Sequence, residues 1–298
     1  MLAAFLLGLS VGSAVIKRYL DRFKNPILVF AYIEMLIAVF ALLTIHTNGW
    51  IENVYFKYFY EMNNFYAFQA FLFVIAFLLM LIPTSLMGAN FPLAVRIFSR
   101  NRETRADDAG LTFAVNTAGG IAGAFLAGFV ILPMLGLEHT NLLASAVYFI
   151  IGLGFIFAAK SRSIANYAFA AAALVVLIVA GFIGKEPSLN YSIYYEGIRH
   201  NSMSEFLNSK NRVQNLFSKH GPYGLVSVNY DPSTGNIFLL NNGKTDASIH
   251  PTDMGTQVML GHLPLFLHRN PEDILNIGLG GGFTLGANIT HPNVKSVD

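Results

Sequence analysis

Five consecutive residues near the C-terminus, Gly278-Leu279-Gly280-Gly281-Gly282, have the composition of a turn that lets a main chain approach a ligand closely. A side chain there would fill the space the ligand needs, and glycine accepts the backbone angles of a tight turn without strain. A short β-rich run, 273–277, precedes the turn, and a segment that can be helical, 283–290, follows it. His291-Pro292-Asn293 then turns the chain into a second run, 294–297. Strand, glycine turn, helix and strand form one βαβ unit. In such a unit the free N–H groups and positive end of the helix start face the ligand, as at nucleotide sites.

The spacing narrows the ligand class. A dinucleotide fingerprint wants its third glycine where Phe283 stands. Glycines at 278, 280 and 282 fit the tighter G-x-G-x-G pattern of S-adenosylmethionine-type folds. No lysine follows the turn in the Walker position, which excludes a P-loop. Metal chemistry finds little support. There is no cysteine, and the eight histidines are scattered without metal-ligand spacing, so no metal is expected. A net charge of +2 is too small to argue for a nucleic-acid partner.

The elements before the turn have soluble character. Residues 225–230 alternate as a strand, Asp231-Pro232-Ser233-Thr234-Gly235 is a turn, and 237–240 is a second strand, which together predict a β-hairpin. Asn242-Gly243-Lys244 is another turn. Residues 252–268 carry helical spacing, with Thr252 or Asp253 as the cap. A short helix is expected over 205–219, in a polar region that opens with Tyr191, Tyr194 and Tyr195.

The first 184 residues have a different character. The whole chain is 54% hydrophobic and 12% charged, against about 25% charged in an average soluble domain, and its apolar residues concentrate before Lys185. Six apolar segments follow one another at about 2–16, 27–45, 65–97, 109–135, 140–159 and 166–184. Most are long enough to cross a hydrocarbon core of about 30 Å. Pro83 and Pro92 should kink or break the third. Gly8 and Gly12 in the first, and Gly119, Gly123, Ala124 and Gly128 in the fourth, have spacing that lets helices approach closely or that lines a substrate path. Glu34, two turns inside the second segment, is a functional candidate because an acid at that depth is costly. Asn90 and Asn116 are buried polar candidates, and interhelical hydrogen bonding is the plainer role for all three.

The loops alternate in charge. Lys17, Arg18, Arg22 and Lys24 mark the first, Arg96, Arg100, Arg102 and Arg105 the third, and Lys160 and Arg162 the fifth, whereas the second has one lysine against two glutamates and the fourth no basic residue. The positive-inside rule places loops one, three and five in the cytoplasm of a multi-pass inner-membrane protein. Six crossings would then put the soluble region outside, while a cytosolic cofactor wants it inside; a re-entrant segment would reconcile the two. The basic residues follow the first apolar run instead of preceding it, and no small-residue cleavage site follows, so a signal peptide is not expected. That run is short for a span, which suggests that the chain begins inside a helix.

With these residues in place, the C-terminal part resembles the spermidine synthase (polyamine aminopropyltransferase) family, especially bacterial members with a fused membrane region. The matching residues are Asn242-Gly243-Lys244, Asp253, Thr256-Gln257, Gly261-His262-Leu263-Pro264-Leu265 and 277–284, with the hairpin 223–240 standing where the family has a small β-domain. In the membrane part the resemblance rests on Gly8-Leu9-Ser10-Val11-Gly12-Ser13, Pro83-Thr84-Ser85-Leu86-Met87-Gly88, and Asn116-Thr117. It implies transfer of an aminopropyl group from decarboxylated S-adenosylmethionine to an amine. Gln257 would contact the nucleoside, Gly278, Gly280, Gly281 and Gly282 would form its floor, and His262 would lie on the substrate side.

Soluble members carry an aspartate at the position of Gly281, where it holds the cofactor's amine, so this chain departs from the pattern at a specificity position. The family's ribose-binding and catalytic acids would lie beyond Asp298, and Asp298 itself is not assigned the ribose role. The chain alone is therefore expected to be an inactive fragment.

The fold class expected is a polytopic α-helical membrane region (1–184), a linker and small β-hairpin domain (185–250), and the start of an α/β S-adenosylmethionine-type Rossmann-like domain (251–298). The expected partners are the lipid bilayer and a small-molecule amine or nucleoside, with an oligomer left open. Two rival readings are an S-adenosylmethionine-dependent methyltransferase acting on a membrane substrate, and a transporter with a nucleotide-sensing domain.

Overall fold

The computed structural model describes residues 2–47, 50, 51, 54, 64–99, 105–160, 163–183, 202, 204, 205, 208, 212–221 and 223–298. Arg100, Arg102, Arg162, the tyrosines at 191, 194 and 195 and residues 206, 207 and 209–211 of the helix expected over 205–219 lie outside them. The chain forms two compact units, Met1–Lys185 and Glu186–Asp298.

The first unit is helical: α1 (Leu2–Tyr19), α2 (Pro26–Leu43), α3 (Phe65–Phe98), α4 (Arg105–Phe125), a π-helical stretch (Leu126–Ile131), α5 (Leu132–Ala158) and α6 (Ile164–Ile183). Asn25 and Asn64 start α2 and α3 by accepting the N–H groups of Leu28 and Ala67 on their side chains. Helix α2 is central and buries two faces. Ala31, Met35, Ala38 and Leu42 pack against Phe149 and Ile156 of α5 and the alanine-rich side of α6. Ile33 and Ile37 pack against Ala89 and Leu93 of α3, with Ile16 of α1 in the same cluster.

Among the described residues, five helical stretches are long and apolar enough to cross a membrane: Leu2–Arg22, Pro26–Leu43, Tyr66–Phe98, Ala106–Ala158 and Ile164–Phe182. The fourth and fifth expected segments are thus one run of 53 residues. Fully straight it would reach about 80 Å at 1.5 Å per residue, far more than a bilayer core. Gly136 interrupts it with non-helical angles (φ 76°, ψ 171°), which glycine tolerates.

Of the kink or break expected in the third segment, the break does not occur, since α3 is one 34-residue helix through Pro83 and Pro92. Each proline removes one N–H from the helical ladder. Beside Pro83 the Thr84 hydroxyl donates to the Met80 carbonyl at 2.6 Å, which adds a local bond where the ladder is thinned.

The two glycine spacings have different fates. A Cβ on Gly8 would stand 1.8 Å from Thr84 Oγ1, one on Gly12 1.8 Å from the Ser85 carbonyl oxygen, and one on Gly88 2.2 Å from the Leu9 carbonyl oxygen. Helices α1 and α3 therefore touch backbone to backbone, as small residues permit. Gly119, Gly123 and Gly128 have nothing within 4 Å of such a Cβ, so the close approach expected of the fourth segment is absent among the described residues. Asn116 is exposed on α4 rather than buried. Glu34 and Asn90 are joined, Asn90 Nδ2 donating to Glu34 Oε1 at 2.9 Å.

In the second unit, β1 (Gln214–Gly221), β2 (Gly224–Asp231), β3 (Asn236–Asn241) and β4 (Lys244–Ser248) form an antiparallel sheet in sequence order. The expected two-stranded hairpin is the middle of this four-stranded meander. Residues 214–219, expected to be helical, are strand because each pairs with or flanks a partner on β2, from Gln214 opposite Tyr230 to Lys219 opposite Val226. Long-range pairing has overridden the local pattern. Asn242 (φ 51°) and Gly243 (φ 82°) both have positive φ, the signature of a two-residue type I′ turn between β3 and β4.

Helix α7 (Pro251–Leu267), β5 (Asp273–Ile274), α8 (Phe283–Ile289) and β6 (Ser296–Val297) complete the chain. Strands β5 and β6 run parallel, Asp273 opposite Ser296 and Ile274 opposite Val297. Both are shorter than the runs expected, although their bonding continues through Asp298 N to the Ile274 carbonyl (2.9 Å) and Asn276 N to the Asp298 carbonyl (2.7 Å).

Candidate functional site

The glycine turn lies between β5 and α8. Gly278, Gly280 and Gly282 adopt φ values of 94°, 53° and 79°, a region costly for any residue with a Cβ. A Cβ at any of these three positions would meet nothing within 4 Å, so their backbone borders open space. Gly281 differs. A Cβ there would lie 2.8 Å from the Phe283 ring and 2.9 Å from Ala247 Cβ. Phe283, standing in place of a third fingerprint glycine, and Ala247 of β4 together exclude a side chain at 281. Asn276 Nδ2 donates to the Gly278 carbonyl at 2.6 Å and fixes the start of the turn.

Gln257 is brought to the same region. Its Nε2 donates to the Ser248 carbonyl at 2.9 Å, tying α7 to the end of β4. Thr284 Oγ1 donates to the Gln257 carbonyl at 3.0 Å, tying α7 to the first turn of α8. Gly261 completes the join, because a Cβ there would stand 2.7 Å from both the Thr284 carbonyl oxygen and Ala287 Cβ.

Neither Thr252 nor Asp253, the two residues expected as the cap, is one. Pro251 occupies the first helical position after His250, which suits a residue without an N–H. The Asp253 carboxylate accepts instead from the Ser248 hydroxyl. The second unit therefore links Asp253, Ser248, Gln257 and Thr284 in a chain of hydrogen bonds that ends at the helix following the glycine turn, with Phe283 and Ala247 against Gly281. Of these, Ser248 escapes the sequence reading of the site, because nothing local marks the last strand residue as a neighbour of Gln257, and Thr284 enters it only as part of the matching run 277–284.

His262 lies further along α7. Its ring lies 5.7 Å from that of Phe266, which in turn lies 5.7 Å from His291 at the far end of α8. Its Nδ1 is buried without a hydrogen-bond partner. The ring contact described for His262 is thus with Phe266, on its own helix.

Charges brace the two parallel strands. Lys295 Nζ lies 2.7 Å from Glu272 Oε2, and Asn270 Nδ2 donates to Glu272 Oε1 at 2.9 Å. The Lys295 bond first, then the Asn270 bond, hold the Glu272 carboxyl below its ordinary value, against the opposing effects of burial and Asp273. No group of three or more metal-ligating side chains occurs among the described residues.

The turn thus presents bare backbone to open space at Gly278, Gly280 and Gly282. Two of the curated proteins to which the chain is similar are the polyamine aminopropyltransferases of Leptospira biflexa serovar Patoc and of Thermotoga maritima. Against the first it is 32% identical over 90 residues, 28% of this chain and 30% of the relative. Against the second it is 30% identical over 105 residues, 35% of this chain and 33% of the relative. The polyamine aminopropyltransferase of Thermotoga neapolitana matches to the same extent as that of Thermotoga maritima. The chain spans about a third of the length of these relatives. No protein-family model matches it, and no solved structure does.

Proposed function

We propose that the protein is a membrane-embedded, aminopropyltransferase-like transferase whose second unit begins a Rossmann-like nucleoside domain. The observation that carries this reading is the strand, open glycine turn, helix and parallel strand beside Gln257, in a chain similar to aminopropyltransferases. Its substrate would be decarboxylated S-adenosylmethionine. A neutral amine attacks the carbon beside the sulfonium; a C–N bond forms, the C–S bond breaks, and the thioether leaves with the electron pair. The amine then releases a proton to a carboxylate. In this chain Gly278, Gly280 and Gly282 would floor the nucleoside and Gln257 would wall it. The first unit would anchor the enzyme in the inner membrane through its long apolar helices.

One observation favours a second reading. Phe283 and Ala247 leave no room at Gly281 for the carboxylate that would hold a cofactor amine. An S-adenosylmethionine-dependent methyltransferase on a membrane substrate would not need it. Calorimetric titration of the detergent-solubilised protein separates the two. Tighter binding of decarboxylated S-adenosylmethionine than of S-adenosylmethionine supports aminopropyl transfer, and the reverse order supports methyl transfer. Absence of binding by either, and by methylthioadenosine, would sink both.

A further inference from the structure

Glu34 is 4% exposed at the centre of the first unit, and among the described residues no cationic side chain pairs with it. Its Oε1 accepts from Asn90 Nδ2, which leaves two buried atoms without partners, Glu34 Oε2 and Asn90 Oδ1. The pattern of what is missing is informative. A carboxylate offers Asn90 only acceptors, so it can satisfy the amide N–H but never the amide oxygen. A carboxylic acid adds one donor. An O–H on Oε2 directed at Oδ1 gives both orphan atoms a partner and closes a ring of two hydrogen bonds, neutral overall. On the α5 side the stem of Glu34 is closely packed, since a Cβ on Gly152 would stand 2.8 Å from the Ala31 carbonyl oxygen and 3.3 Å from Glu34 Cβ.

We propose that Glu34 and Asn90 form a proton-binding site inside the helix bundle, with the proton carried on Glu34 Oε2 and donated to Asn90 Oδ1. This depends on the geometry of the first unit alone and not on the aminopropyl-transfer reading. Helix α5 presents Tyr148, within electrostatic reach of Glu34. Helix α3 presents Asn90, and on α6 the polar Asn166 is taken by the Tyr32 hydroxyl. Binding the proton makes two interhelical bonds between α2 and α3, and releasing it breaks one and leaves an anion among apolar side chains, a state that lipid-exposed bundles resist. The contact between these two helices is therefore linked to proton uptake.

Infrared difference spectroscopy of the whole chain in lipid nanodiscs tests this. The wild type should show, at neutral pH, the C=O stretch of a protonated carboxyl group that shifts in D2O. Glu34→Gln should lack it while melting near the wild-type temperature, since its amide N–H can replace the acid O–H toward Asn90. Asn90→Leu should keep the band but move it to higher frequency, the mark of a lost hydrogen bond. An ionised carboxylate signal assigned to Glu34 by the Gln variant, or a band that Asn90→Leu leaves in place, would overturn the proposal. Should Glu34→Gln fail to fold, the Asn90→Leu frequency decides.

Discussion

Thr284 donates its hydroxyl hydrogen to the main-chain carbonyl of Gln257 at 3.0 Å, so the first turn of α8 is fastened to the middle of α7. This bond sets where the glycine turn stands relative to the Gln257 side chain. Thr284→Val keeps the shape and removes the donor. It should lower stability by about 1 kcal/mol and weaken nucleoside binding several-fold. A chemical melt of the whole chain reads the first effect and calorimetry with methylthioadenosine the second; unchanged values for both would mean that the bond positions nothing.

Gly280→Val should abolish nucleoside binding. Its Cβ would enter open space bordering the turn, and its φ of 53° is hard for a β-branched residue. The folding cost should stay at about 1–2 kcal/mol, because no protein atom is in the way. A variant that binds as tightly as the wild type would show the turn to be structural only.

Helix α1 should be far less tolerant of added carbon than α4. Gly12→Ala drives a methyl into the Ser85 carbonyl and should cost about 1–3 kcal/mol. Gly119→Ala meets nothing and should be neutral, or stabilising by up to about 1 kcal/mol through helix propensity. Melting temperatures in detergent compare the pair, and equal shifts would contradict the α1–α3 contact.

Topology can be read directly, because the chain has no native cysteine. Asp21→Cys should resist an impermeant maleimide applied to intact cells, and Trp50→Cys should react. Both positions are exposed. The opposite pattern would invert the orientation.

The stability of the parallel strand pair should fall in acid. Lys295 and Asn270 hold the folded-state Glu272 carboxyl below its ordinary value of 4.5. The unfolded chain therefore takes up its proton first, and the contribution of Glu272 is present above that value and lost as pH falls through the folded one. The difference in melting temperature between wild type and Glu272→Gln should be present at neutral pH and close as the medium is acidified below 4.5. A difference that persists in acid would assign the effect to shape rather than charge.

Much of this was legible in the residues. Apolar run length announced the helices, and Asn242-Gly243 announced its turn, because both signals are local. The spacing of Gly8 and Gly12 announced a close contact, but not that its partner would be the Thr84-Ser85 turn of α3. The same spacing at Gly119 and Gly123 met no neighbour, since a small residue permits an approach without supplying the surface that approaches. Gly152, pressed against α2, carried no recognisable spacing at all. Residues 214–219 were misread because their strand state depends on β2. Asp253 looked like a cap only until Pro251 was recognised as the helix start.

The contact between α1 and α3 also has a timetable. Gly12 and Ser85 are 73 positions apart (85 − 12), so at roughly 5–20 residues per second α1 waits about 4–15 seconds for its partner to be made. Throughout that interval its bare backbone face has only lipid, the translocation machinery or a neighbouring nascent chain beside it. Helix α1 is thus made well before the surface it packs against, and its assembly is set by the ribosome's pace as much as by packing.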